Sequence, residues 1–185
     1  MLKPRNESRQ RWIVMALLMM VVLIDQATKW WGWRHVPRPI INPGSDMIAG
    51  QVVGRWYADP LGGAFLDLLG PGVLATAYCV LVRRRRPAVV LVSAALLIGG
   101  WGSNQLDRLG LHLWTAPGSV RGAVDFIAFG HYRYNLADVF IVGATLLLIS
   151  STGYLRGREA YGRLRAERET SNTQAGRART PVRST

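Results

Sequence analysis

Apolar residues in this chain are gathered into four long runs and are not spread at the spacing of an amphipathic helix. The runs cover Trp12–Trp31, Ala64–Val82, Pro87–Gln105 and Leu136–Tyr154. Each is close to the ~20 residues that a helix needs to cross the ~30 Å hydrocarbon core of a bilayer. Lipid offers no partners to open backbone groups, so helices are the default for such runs. The pattern predicts an all-α membrane protein with four transmembrane helices.

The segments between the runs are polar and rich in turn-forming residues. Gly and Pro punctuate them, as in Asn42-Pro43-Gly44 and Pro60-Leu61-Gly62-Gly63. Val52–Tyr57 is the one candidate for a small β element in these loops. No small-residue cleavage site follows Ile24, so we expect the first helix to be retained and not removed as a signal peptide.

The positive charge is confined to the two ends of the chain and one short loop. The net charge is +12, of which residues 1–11 carry +3, Arg83–Arg86 carry +4 and residues 156–185 carry +5. The positive-inside rule places such segments in the cytoplasm, which predicts an N-in/C-in topology. A nucleic-acid binder would instead interleave basic and aromatic residues on one folded face, so no nucleic-acid partner is expected.

The same sorting divides the chain into three parts. Residues 1–11 form a basic cytoplasmic N-terminus, and residues 12–155 form the four-helix transmembrane domain. Residues 156–185 form an Arg-rich cytoplasmic tail, in which we expect the last helix to continue for a few turns. Beyond Thr170 the tail consists mainly of Ser, Thr, Gly and Arg, which predicts disorder. Segments 32–63 and 106–135 then lie outside the membrane.

Polar residues at the ends of two apolar runs call for an explanation, because they are costly in a membrane. Asp25 and Lys29 are four residues apart and form a favourable acid-before-base pair, which also has an ordinary reading as a helix-end ion pair. Asn104, Asp107 and Arg108 close the third run. A carboxylate between an amide and a guanidinium suits a structural brace or an interfacial end cap better than a general acid.

A third group of polar residues precedes and opens the fourth helix. Asp125 lies within the apolar tetrad Val124-Asp125-Phe126-Ile127, and Asn135 is suited to cap a helix in which Asp138 is the third residue. Taken singly, Asp125 is a loop acid and Asp138 is an acid that stabilises the helix dipole. If both face the bundle, two carboxylates share a partly desolvated site.

Two close carboxylates do not ionise together readily, so one keeps a proton while the other stays charged. The charged member can activate water, and the protonated member can polarise a scissile carbonyl. His35, His112 and His131 lack the spacing of metal ligands, so no metal site is expected. Three hypotheses stay open from the residues alone: a carboxylate-pair hydrolase, a non-catalytic four-helix protein that binds lipid-modified partners, and a small transporter with buried acids.

Five short blocks, in order, resemble those of the lipoprotein signal peptidases, also called signal peptidase II. They begin with Asp25-Gln26-Ala27-Thr28-Lys29 and Gly62-Gly63-Ala64-Phe65 and continue with a block from Gly99 to Arg108. Ala123-Val124-Asp125-Phe126-Ile127 and Tyr134-Asn135-Leu136-Ala137-Asp138 complete the set, each carrying one aspartate that is catalytic in that family. The blocks span residues 25 to 138, and the predicted four-helix topology agrees with the family.

The resemblance implies an aspartic endopeptidase that removes signal peptides from diacylglyceryl-modified prolipoproteins, just before the lipidated cysteine. It implies a multi-pass protein of the bacterial cytoplasmic membrane, in contact with lipid and with its active site at the extracytoplasmic face. Asp125 and Asp138 would be catalytic, and Asp25, Lys29, Asn104, Asp107, Arg108 and Asn135 would support them or the substrate. No cofactor and no metal are implied, and we expect a monomer.

Three local features depart from the family's pattern. Pro60 stands where the family usually has asparagine, and Ser103 stands where glycine normally precedes Asn104. The stretch from Arg108 to Asp125 is longer than the family's pattern, and the spacing from Asp125 to Asp138 is shorter. These differences leave both carboxylates in place and predict changes in substrate preference and loop geometry.

Overall fold

The computed structural model describes residues 5–43, 59–83 and 86–178 of the chain and is mostly helical. A kinked segment, Asp107–Leu111, in which Gly110 has a positive φ of 120°, joins the third long helix to a single further turn, α4 (His112–Thr115). The four long helices are α1 (Arg5–His35), α2 (Pro60–Val82), α3 (Ala88–Leu106) and α5 (Leu136–Ala178).

Four helices are long and apolar enough to cross a membrane: Arg9–His35, Leu61–Val82, Ala88–Thr115 and Leu136–Arg165. Large apolar side chains on them point outward, such as Leu68, which is 76% exposed, and Leu146, which is 62% exposed. Exposed apolar surface of this kind suits contact with lipid. The predicted fold class, with four membrane-spanning helices, is confirmed, and the N-in/C-in orientation stays a prediction.

The core of residues 1–148 lies where α1, α2 and α3 meet. Val14, Leu81 and Ala95 are buried there and are surrounded by partly buried Leu, Ile, Val and Tyr side chains of the same three helices. Two adjacent glycines allow α3 to approach its neighbours on both sides. A Cβ on Gly99 would lie 2.9 Å from Val21 of α1, and one on Gly100 would lie 2.8 Å from the Ala137 carbonyl of α5.

Two small antiparallel sheets follow the ends of the long helices. Strand β1 (Ile40–Asn42) pairs with β2 (Ala123–Asp125), and β3 (Ile127–Phe129) pairs with β4 (Tyr132–Tyr134). The sequence predicted a strand at Val52–Tyr57, which lies outside the described residues. None of the four observed strands was predicted, because three-residue strands are too short to show an alternating pattern.

Residues from Ile149 onward form a separate compact unit, the continuation of α5. The sequence predicted a few further helical turns and then a largely disordered tail, whereas the structure describes helix through Ala178. The start of this segment is rich in Arg, Glu, Ala and Leu, which are good helix formers, and Glu159 precedes Arg163 by one turn. Tyr154 and Tyr161 of this segment are exposed.

Candidate active site

Asp125 is held at the end of a paired strand. The register places it opposite Ile40, with Asn42 of the same partner strand opposite Ala123. The Asn42 side chain donates from Nδ2 to Asp125 Oδ2 at 3.1 Å, and Asn135 donates from Nδ2 to Asp125 Oδ1 at 2.6 Å. The side chain is 1% exposed. Each oxygen of this buried carboxylate therefore accepts an amide N–H.

Asp138 is fixed by the start of α5. The Asn135 side-chain Oδ1 accepts from the Asp138 backbone N–H at 3.0 Å, and Asp138 Oδ2 accepts from the Asn135 backbone N–H at 3.0 Å. This reciprocal pair is a capping box, and it satisfies two helix-end donors at once. Asn104 of α3 donates from Nδ2 to Asp138 Oδ1 at 3.0 Å. The Asp138 side chain is half-buried.

Asn135 connects the two acids, because one side chain caps Asp138 through its oxygen and binds Asp125 through its nitrogen. Burial raises the pKa of Asp125 to about 7, and the nearby Asp138 carboxylate raises it as well. The amides of Asn42 and Asn135 act in the opposite direction. Around neutral pH, Asp125 is therefore poised between its protonated and its charged form.

Lys29 lies at the centre of a second group of polar side chains and is fully buried. Its ammonium contacts Asp25 Oδ2 at 2.5 Å, Asp107 Oδ2 at 2.7 Å and Asn104 Oδ1 at 2.7 Å. An ammonium has three N–H donors, and these three partners use all of them. Since Asn104 also donates to Asp138, one amide links this group to the acid on α5.

Asp25 joins three helices. Its Oδ1 accepts from the Ala137 backbone N–H of α5 at 2.7 Å, which is one of the donors left open at a helix start. Its Oδ2 accepts from the Ser103 hydroxyl of α3 at 2.7 Å, as well as from Lys29 of its own helix. Gln26 adds a further tie, donating from Nε2 to Ser103 Oγ at 2.9 Å. The Ser103 hydroxyl therefore donates one hydrogen bond, to Asp25, and accepts another, from Gln26.

The long stretch between Arg108 and Asp125 packs onto the ends of α1 and α3. Arg108 is buried, with Nη1 placed 3.4 Å from the Asn104 carbonyl, and its own carbonyl accepts from Arg121 Nε at 2.5 Å. His112 Nδ1 lies 2.8 Å from the Asp107 carbonyl, and Arg34 donates to the Thr115 carbonyl at 3.3 Å. The stretch between Arg108 and Asp125 is thus tied by hydrogen bonds to the helix ends that carry the polar groups.

The structure brings all the site residues chosen from the sequence into one connected assembly. The sequence predicted that Lys29 pairs with Asp25 and that Asp107 lies beside Arg108. The ion pair between Lys29 and Asp107, on different helices, was not predicted. The contact of Asn42 with Asp125 was not predicted either. The two β-branched residues before Asn42 were the available signal for a strand at that point.

Pro60, another of the departures noted in the sequence, has a local explanation. Asp59 caps α2 by accepting from the Gly62 backbone N–H at 2.6 Å, and Pro60 is the first helical residue. Proline is favoured at that position because the missing N–H would have no helical partner. Among the described residues, no group of three or more His, Cys, Asp or Glu side chains is placed to hold a metal ion.

With this geometry in place, comparison with known proteins identifies the family. The family model described as "Signal peptidase (SPase) II" matches residues 17–153, which include every residue of the polar assembly. The chain belongs to the signal peptidase II family. The predicted membership is confirmed, and with it the prediction that the chain is a peptidase.

Two relatives of this signal peptidase II family member carry the name lipoprotein signal peptidase. The protein from Clostridium tetani is 23% identical over 151 residues, covering 72% of this chain and 87% of the relative. The protein from Mycolicibacterium smegmatis is 25% identical over 190 residues, covering 96% of this chain and 77% of the relative. A solved structure described as a bacterial membrane enzyme is 17% identical, with a TM-score of 0.54 over 76% of this chain and 92% of that one. That last likeness concerns the fold alone.

Proposed function

We propose that this chain is an aspartic endopeptidase that cleaves signal peptides from diacylglyceryl-modified prolipoproteins, with Asp125 and Asp138 as its catalytic pair. Membership of the signal peptidase II family supports the reaction and the substrate class. The observation that carries the residue assignment is the pair of carboxylates joined through Asn135 at the start of the fourth apolar helix, α5.

Asp125 and Asp138 have different surroundings, which suits them to different roles. Asp125 is buried with a pKa of about 7 and acts as the acid, giving its proton to the oxygen of the scissile carbonyl. Asp138 is half-buried and acts as the base, taking a proton from the water whose oxygen attacks the carbonyl carbon. Collapse of the tetrahedral intermediate then breaks the C–N bond. The leaving nitrogen takes a proton from Asp138, and Asp125 takes back the proton that it gave to the carbonyl oxygen.

The other polar residues support the pair without reacting. Asn104 orients Asp138, Asn135 orients both acids, and Lys29 holds Asn104 in place. Asp25, Asp107 and Arg108 fix the helix ends from which these groups project. The positive charge in the N-terminus, the Arg83–Arg86 loop and the tail supports a site at the extracytoplasmic face of a bacterial cytoplasmic membrane. A monomer suffices for this chemistry, since one chain supplies both acids.

Cleavage of a diacylglyceryl-modified lipobox substrate by purified protein in detergent tests the assignment. Asp125→Asn and Asp138→Asn should each abolish cleavage, because each removes the acid or the base from the reacting pair. Asp59→Asn is the matched control, since it changes an exposed acid outside the pair and asparagine caps helices as well as aspartate does. We expect this control to cleave at the rate of the unaltered protein.

Undiminished cleavage by Asp125→Asn or by Asp138→Asn would remove that residue from the catalytic pair. A substrate without the lipid should be cut slowly, and equal rates for the two substrates would point to a broader peptidase. Family membership and the retained acids disfavour a non-catalytic binding protein, and absence of cleavage by the unaltered protein would bring that alternative back.

A further inference from the structure

One polar side chain in contact with the proposed catalytic pair comes from outside the five sequence blocks. Asn42 is the last residue of β1, and its amide donates to one oxygen of the Asp125 carboxylate while the helix-capping Asn135 donates to the other. Asn42 is half-buried, and Asp125 is almost completely buried. Asn42 belongs to an Asn-Pro-Gly stretch, which predicts a turn and does not indicate a role at an active site.

The backbone around Asn42 is tightly constrained. Strand pairing sets Asn42 opposite Ala123, two residues before Asp125. Next to this pair, a Cβ on Gly122 would lie 2.6 Å from the Asn42 carbonyl oxygen, closer than non-bonded atoms approach. The absence of a side chain at Gly122 therefore lets the two strands come together. The Asn42 amide is thus placed by the backbone as well as by its own hydrogen bond.

We propose that Asn42 is a positioning residue for Asp125, whose amide fixes the plane of the carboxylate together with Asn135. This inference rests on the proposed catalytic role of Asp125. With one amide N–H on each oxygen, rotation of the carboxylate breaks both hydrogen bonds. A carboxylate has about four lone-pair sites, so the two amides leave positions for a proton and for a reacting group.

A donor on Oδ2 also affects the proton affinity of Asp125, because an N–H bond to a carboxylate favours its charged form. The other groups that act on Asp125 are the carboxylate of Asp138 on α5, the ammonium of Lys29 on α1 and the amide of Asn135. Asn42→Leu removes the amide donor on Asp125 Oδ2 and retains Asp138, Lys29 and Asn135.

Infrared titration of the full-length protein in detergent tests this without relying on cleavage. The C=O band of the protonated carboxyl is assigned to Asp125 by its loss in Asp125→Asn. Asn42→Leu keeps nearly the same volume and removes the donor, so we expect the titration midpoint to rise by about one pH unit. Asn42→Gln keeps an amide and should restore part of the shift. Ile40→Val changes the same strand, opposite Asp125, and should leave the midpoint unchanged.

Cleavage assays give the second readout. The rate should fall as pH rises through the pKa of Asp125, and in Asn42→Leu this fall should move to higher pH by the same amount as the infrared midpoint. We also expect about a tenfold lower kcat for Asn42→Leu at the pH optimum, because the acid is less well oriented. A midpoint and kcat equal to those of the unaltered protein would overturn the role of Asn42.

A lower rate at every pH with an unmoved infrared midpoint would likewise overturn it, since that pattern indicates a purely structural effect. Failure of the proposed function looks different. In that case the unaltered protein or Asp125→Asn gives the wrong cleavage result, while the infrared midpoints of the Asn42 variants still decide whether its amide acts on Asp125.

Discussion

The polar residues of this protein form two groups of acids that share one amide and differ in how their charge is balanced. Asp25 and Asp107 are both fully buried and both contact the ammonium of Lys29. Asp125 and Asp138 instead accept N–H groups from the neutral amides of Asn42, Asn104 and Asn135. Asn104 contacts both groups, as acceptor for Lys29 and donor to Asp138.

This difference separates the acids that hold the bundle from the acids that can react. A carboxylate that contacts a buried ammonium has its charge balanced by that cation, so it is suited to bracing the bundle more than to exchanging protons. A carboxylate that is buried near a second carboxylate can have a pKa near neutral pH even when neutral amides bind it, and that of Asp125 is about 7. Removing a charged side chain should therefore lower the free energy of unfolding in the first group and change its pH dependence in the second.

The largest effect is expected at Lys29, because Lys29→Met leaves Asp25 and Asp107 buried without their cation. Breaking a buried ion pair by removing one partner typically costs about 3–5 kcal/mol. We expect the free energy of unfolding in detergent to fall by about that much, measured by thermal or chemical denaturation. The double variant Lys29→Met/Asp107→Asn should recover part of the loss, since it removes one of the unpaired charges. A loss below about 1 kcal/mol in the single variant would contradict the bracing role of this group.

A smaller effect is expected at Asp125, where the pH dependence of the free energy of unfolding should change. Its pKa in the folded protein, about 7, lies above the ordinary value of 3.8. Between these two pH values the folded protein holds a proton that the unfolded chain has released. The free energy of unfolding should therefore fall as pH rises toward 7 and change little from this group above that.

Asp125→Asn removes that contribution. We expect the loss of stability between pH 5 and pH 8 to be about 2.5 kcal/mol smaller in the variant than in the unaltered protein. Thermal denaturation at both pH values measures it, with Asp59→Asn as the control acid. Parallel stability curves for Asp125→Asn and the unaltered protein would show that Asp125 titrates normally, and the contrast between the two groups would then disappear.

The sequence predicted the helices and most of the site because both are encoded locally. Runs of about twenty apolar residues specify spans without reference to other parts of the chain. The capping of α5 by Asn135, with Asp138 as its third residue, is a pattern over four consecutive positions. Pairings across helices could not be predicted in this way. The contact between Lys29 and Asp107 depends on how α1 and α3 pack, and the contact between Asn42 and Asp125 depends on the pairing of two three-residue strands.

Ser103, which differs from the family's glycine, gives the smallest expected effect and tests the boundary between the two groups. Its hydroxyl donates to Asp25 and accepts from Gln26, so it belongs to the charge-balanced group. Ser103→Ala removes a hydrogen bond to a charged acceptor, and we expect the free energy of unfolding to fall by about 1.5 kcal/mol with cleavage within about twofold of normal.

Ser93→Ala is the matched control for Ser103→Ala, because Ser93 is equally buried on α3 and donates only to the backbone carbonyl of Val89, one turn earlier. Such a bond adds little to the stability of a helix, so this control should stay within about 0.5 kcal/mol of the unaltered protein. Equal losses for the two serine variants would show that the hydroxyl of Ser103 contributes nothing through Asp25. Loss of cleavage in Ser103→Ala with the fold intact would move Ser103, and Asp25 with it, from the bracing group to the reacting pair.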